Sequence, residues 1–142
     1  MFKIFRAACA AVAISLTTPV LASEVVLTIS GDVAASDQGE VWQFEMEGLQ
    51  ALPSTRFETS TIWTEGTQTF EGVSLNALLG HVGASQGVIH AVALNDYIVE
   101  IPFEDAVKDG PIVAYLRNGA EMSVRDKGPL WIIYPFDDNE SY

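Results

Sequence analysis

The run RFETSTIWTEGTQTFEGVSLNALL, residues 56–79, decides how the chain is read. It opens as an extended segment with bulky residues at both ends, yet its middle carries Thr59, Ser60 and Thr61, where a buried strand normally places Val or Ile. TEGTQ interrupts the extended run, and TFEGV follows as a short strand. Ser74 then stands as an N-cap before LNALLGHVG, in which Leu75, Leu78, Leu79 and Val82 fall at helical spacing and Gly83 closes the end. Period-two alternation puts Phe57, Thr59, Thr61 and Trp63 on one face of the first strand and Arg56, Glu58, Ser60 and Ile62 on the other. Two readings stand for that threonine face. In one it lines a small pocket between aromatic flanks; in the other it is half-exposed strand whose hydroxyls bond neighbouring backbone.

Outward from this run, EVVLTIS reads as a strand and GDVAASDQGE as a turn-rich connection. VWQFEM is a short strand or the entry to a helical turn through EGLQAL. VIHAVALN and DYIVEIP are strand-like and meet in a hairpin at Asn95-Asp96. Residues 103–107 form a short helix or turn ended by Asp109-Gly110, IVAYL is a strand, and Arg117-Asn118-Gly119 turns into EMSV. LWIIYP is the last strand, stopped by Pro135. Strands outnumber helices, with one good helix after the fourth strand, so the fold class is α+β and not a regular βαβ alternation. The polar end FDDNESY carries no closing element and reads either as a disordered tail or as the end of a fragment lacking a terminal strand.

At the other end, Lys3 and Arg6 precede the apolar run CAAVAISLTTPVL, and Val20 and Ala22 occupy the −3 and −1 positions of a cleavage site. Residues 1–22 are expected to be a secretory signal peptide, leaving residues 23–142 as one domain located in the periplasm or secreted. A retained anchor is the alternative, but a spanning helix needs about 20 apolar residues. Cleavage removes Lys3 and Arg6 and no acid, so the formal charge goes from −12 to −14, and the single cysteine, Cys9, is lost with the leader. The remaining chain therefore has no disulfide, thiolate ligand or thiol nucleophile. Its acidity speaks against nucleic acid and against anionic lipid as partners, and no membrane insertion is expected after cleavage.

Familiar catalytic patterns fail on context. Gly83-Ala84-Ser85-Gln86-Gly87 fits G-x-S-x-G, but it leaves a helix and enters a strand, the reverse of a nucleophile elbow. His81 and His90 are the only histidines, too few for a zinc site without cysteine. Asp137, Asn139 and Ser141 have the spacing that opens a calcium loop, without the glycine and glutamate that complete one. Glu104 with Asp105, or Glu45 with Glu47, are pairs that an acidic protein acquires by chance, and they give no reason to assign glycoside chemistry.

The opening run does carry a resemblance. Arg56, Phe57, Trp63, Phe70, Gly72, Val73, Leu75, Leu78 and Leu79 fall in step with the cofactor strand and following helix of the sulfite-oxidase-like, oxidoreductase molybdopterin-binding domain family. AYLRNGAEMSVRDKGPLWIIYP resembles a second block of that family through Ala114, Tyr115, Asn118, Gly119, Met122, Gly128, Pro129, Leu130 and Pro135. Asp96 and Tyr97 resemble its D-Y strand, so the likeness covers about residues 50–135. It implies a mixed, β-rich molybdopterin-binding fold with few short helices, and work outside the cytoplasm beside a membrane-associated redox or sensor protein.

Three positions depart from the family pattern. Thr59 stands in the slot of the cysteine that ligates molybdenum, and a hard, high-pKa alcohol is a poor substitute for a soft thiolate. Asp126 stands in place of histidine and Trp131 in place of arginine, which leaves Arg56, Lys108, Arg117, Arg125 and Lys127 as the only cations for an anionic pterin. The expectation is a non-catalytic module that binds a small-molecule ligand or a membrane-associated partner on the old cofactor face, with no cofactor. The alternative is an enzyme, a molybdopterin-dependent oxidoreductase with atypical metal ligation. The residues expected to line the face are Arg56, Thr59, Thr61, Trp63, Asp96, Tyr97, Tyr115, Asn118, Arg125 and Lys127. None is expected to be catalytic or to hold metal.

Overall fold

A computed structural model describes residues 23–142; the leader expected over residues 1–22 lies outside the described residues. β1 (Val25–Ser30) pairs antiparallel with β2 (Val41–Glu45), and the chain passes directly into α1 (Met46–Gln50), so both readings of VWQFEM hold in succession. β3 (Ser54–Thr59) and β4 (Gln68–Ser74) follow as an antiparallel pair, and α2 (Leu75–His81) leaves the end of β4. β5 (Val88–Val92) and β6 (Ile98–Pro102) make the expected hairpin, a two-stranded sheet of its own. β7 (Ile112–Arg117) returns against β4, while β8 (Ala120–Glu121) and β9 (Trp131–Ile133) share its far edge. The result is β-rich with few short helices, an α+β fold built on a five-stranded antiparallel sheet.

Alternation along β7 divides the interior. Val113 and Tyr115 point into the larger core with Leu75, Leu78, Leu79 and Val82, whereas Ile112 and Ala114 point into a smaller core with Phe70, Met122 and Ile133. The leucine stripe read from the sequence is thus the buried face of α2, each residue contributing roughly 2 kcal/mol of burial. Ser74 caps the helix, its Oγ accepting from the Ala77 N–H at 3.4 Å.

Two glycines of the family-like blocks are steric requirements. A Cβ on Gly72 would lie 2.0 Å from the Val113 carbonyl oxygen, at the irregularity where β4 crosses β7. One on Gly128 would lie 1.8 Å from the Met122 carbonyl oxygen. Both sites bring two backbones closer than any side chain tolerates.

The structure corrects two expectations. The strand expected to run through Trp63 ends at Thr59, so Thr61 and Trp63 do not share a strand face with Phe57. Side-chain bonds to local backbone displace the ladder there: the Thr61 hydroxyl accepts from the Trp63 N–H at 3.1 Å. EMSV contributes only Glu121 to a strand before the chain enters a single 3₁₀ turn at Val124–Asp126. The reading of the polar tail as disordered is also corrected: it folds back through turns, and the Tyr142 ring packs edge-on against Tyr134 with centroids 4.9 Å apart.

Candidate functional site

At the end of β3 the polar stretch finds its partners in the tail. Thr59 is wholly buried; its Oγ1 donates to the Ser60 carbonyl at 3.2 Å and accepts the Asp137 N–H at 3.1 Å. The Asp137 carboxylate in turn accepts the Ser60 N–H at 2.7 Å and the Ser60 hydroxyl. These bonds to Ser60, the hydroxyl first and the amide second, hold the Asp137 carboxyl below the usual carboxylate range. Thr61 closes the turn that follows, its hydroxyl 2.8 Å from that of Thr64. The opening run stays polar because its hydroxyls form a clasp with a segment more than seventy residues away in sequence.

Beside the clasp lies an aromatic corner. Trp63 is 54% exposed and meets Trp131 edge-on at 6.1 Å and Phe136 at 6.3 Å, while Ile62 next to it is 89% exposed. Lys127, with a positive φ of 69°, holds its ammonium 5.8 Å from the Trp131 ring centroid. Arg125 is exposed in the same turn. Arg117 is ion-paired with Asp126, the one such pair among the described residues, so this acid neutralises a neighbouring cation.

The ten candidate residues therefore do not form one face. Thr59, Thr61, Trp63 and Lys127 gather around the clasp and the aromatic corner, with Arg125 in the turn of Lys127. Asn118 is a turn residue with φ 51°; its amide oxygen accepts the Thr69 N–H at 2.9 Å and its amide nitrogen donates to Gln68, which pins the β7 to β8 turn onto β4. Tyr115 is buried in the larger core, where burial and then the Glu71 carboxylate raise its phenol pKa. Arg56 is exposed opposite Glu71 across β3 and β4. Asp96, with φ 62°, and Tyr97 stand at the tip of the β5 to β6 hairpin in a different sheet.

Sequence reasoning placed Asp137 in a solvated tail and gave Ser60 and Phe136 no role. No local pattern announces a contact between β3 and the tail. A second buried polar contact was equally silent: Tyr134 donates to Asp105 at 3.0 Å, and burial followed by this bond raises its pKa. Asn139 accepts from the Ser141 N–H and hydroxyl, so the calcium-like spacing is a local turn. Two open hollows of about 390 Å³ each run along β2, and neither is lined by a candidate residue.

No family model matches the chain, and no curated protein matches it. Among solved structures it is similar to the sulfane dehydrogenase SoxCD from Paracoccus pantotrophus, at 19% identity and a TM-score of 0.58 over 77% of this chain. The chain spans about a third of that protein's length, 33% of it. The likeness is one of fold, a distant structural relation to that sulfane dehydrogenase.

Proposed function

We propose that this chain is an exported, non-catalytic binding module on a sulfite-oxidase-like molybdopterin-binding fold, and that it takes a small ligand or a partner protein at the aromatic corner of Trp63, Trp131 and Phe136. The observation that carries this reading is the state of Thr59. Its hydroxyl is enclosed, its proton is given to the Ser60 carbonyl and its oxygen accepts the Asp137 N–H, so the position of the family's metal ligand offers a buried, hydrogen-bonded alcohol in place of a soft anion. The residues present do not fit the molybdenum cofactor. Arg117 is committed to Asp126, and Arg125 and Lys127 are the exposed cations near the corner.

The corner has the chemistry of a recognition surface. The exposed Trp63 ring, backed by the partly buried Trp131, gives large contact area at low rotamer cost, and Lys127 adds a cation beside it. A partner or ligand with a planar or anionic group fits it. The second reading, an oxidoreductase with atypical ligation, draws its support from the similarity in fold to a sulfane dehydrogenase.

The test is molybdenum content together with oxidised-pterin fluorescence, on protein exported from a host that makes the cofactor. The binding reading expects neither in the wild type; near-stoichiometric metal and pterin would sink it. In parallel, Trp63→Ala is expected to weaken binding of a tethered partner or ligand while the thermal midpoint stays within a few degrees, since Trp63 is more than half exposed.

A further inference from the structure

The β5 to β6 hairpin carries a second surface, independent of the corner. Of the eleven large hydrophobic side chains that are exposed among the described residues, six lie between residues 88 and 99: Val88, Val92, Leu94, Tyr97, Ile98 and Val99. Register gathers several of them on one outer face. Val88 pairs with Pro102 and Val92 with Ile98, flanking the cross-strand pair His90 and Glu100. Ile89, Ala91 and Ile101 point the other way, into the larger core. A concentration of aliphatics this open, on a chain otherwise rich in acid, is unusual for a free surface.

The same hairpin exposes backbone. The Ala93 N–H bonds the Tyr97 carbonyl at 2.8 Å, so by alternation Tyr97, Val99 and Ile101 turn their backbone groups toward β5, and Ile98 and Glu100 turn theirs outward. Among the described residues neither β5 nor β6 has a further strand partner, and the outward-turned residues are exposed on both, Val88, His90 and Val92 on β5 and Ile98 and Glu100 on β6. Glu100 is the one acid among them, so the β6 edge is the one with a charge for a partner to match. Natural edges are usually guarded by lysine, a bulge or an early proline. Here Pro102 guards only the last position, and no lysine or arginine occurs between Arg56 and Lys108.

We propose that the β6 edge receives an extended segment of a partner protein as an added strand, with an apolar, basic, apolar pattern at alternate positions. The apolar residues would pack beside Ile98 and Pro102 and the basic one beside Glu100, on the outer face. Asp96, Glu104 and Asp105 reinforce the sign of the match. A second copy of this chain is disfavoured as occupant because it brings the same acids, and a formal charge of −12 on the full sequence, against themselves.

The test uses the peptides TVTKTVT and TVTETVT and records backbone amide shifts of the full domain. The lysine peptide is expected to bind about fivefold more tightly than the glutamate one at low salt, with the largest shifts at Ile98 and Glu100. Glu100→Lys, a change at an exposed position, is expected to invert that preference with the thermal midpoint unchanged. Equal binding of both peptides, shifts centred elsewhere, or no inversion overturns the proposal. So does dimerisation through β6 without peptide, or hairpin-dependent sedimentation with neutral lipid vesicles, since these assign the edge to a second copy or to a membrane.

Discussion

The end of β3 and the tip of the β5 to β6 hairpin reverse what their side chains suggest. One is a run of hydroxyls that ends up enclosed, with Thr59 wholly buried; the other is a run of aliphatics that ends up in solvent, with Leu94 75% exposed. At β3 the tail's Asp137 and the adjacent Ser60 carbonyl supply the partners of the clasp, so Thr59 is buried with its hydroxyl hydrogen-bonded. At the hairpin no third strand among the described residues supplies a partner for the edge or for the apolar outer face. Polarity along the chain tells what a segment requires, and neighbours distant in sequence decide whether the requirement is met.

If that contrast is right, the largest effect belongs to the tightly closed side. Gly72→Ala should cost about 3 kcal/mol or prevent folding, because its methyl meets the Val113 backbone and neither strand can yield alone. Urea denaturation measures it, and a loss below about 1 kcal/mol would mean that the sheet is looser than the register implies. Next, Thr59→Val keeps shape but leaves the Asp137 N–H without its acceptor. A loss of about 1–2 kcal/mol is expected, with faster exchange of the Asp137 amide; unchanged exchange would separate the tail from β3.

The clasp should also respond to acid. Because the Asp137 carboxyl is held below its ordinary value in the folded state, its contribution is fully present above the ordinary aspartate range and is lost as pH falls through the lowered folded value. Deprotection of the Ser60 amide in that acid window, ahead of global unfolding, is the expected sign. A Ser60 amide indifferent to pH would refute the carboxylate's part. The smallest effect belongs to the open side: Leu94→Ser should change stability by no more than about 0.5 kcal/mol, and a larger loss would show that the hairpin tip is packed.

Much of the scaffold was legible because its signals are local. The cap at Ser74 and the leucine stripe, the Asn95-Asp96 hairpin and the Asn118-Gly119 turn each depend on residues within a few positions of one another. Gly72 and Gly128 were legible as parts of a pattern, and their reason, close backbone approach, came from pairing. The candidate site was legible only in part. Alternation extrapolated β3 past Thr59, because it cannot foresee that Thr61 would bond the Trp63 amide. The family resemblance grouped Tyr115 and Asp96 with Thr59, although Tyr115 faces the larger core and Asp96 sits in another sheet.

From the sequence alone came most of the strands and the α2 helix, the acidic composition with no cysteine after Cys9, and the absence of a thiol at position 59, because composition and short-range spacing carry all of these. Only the tertiary structure decided which polar groups are enclosed and which edges are left open. Both depend on contacts between segments tens of residues apart, Ser60 with Asp137 above all, and chain spacing holds no information on which distant partner arrives.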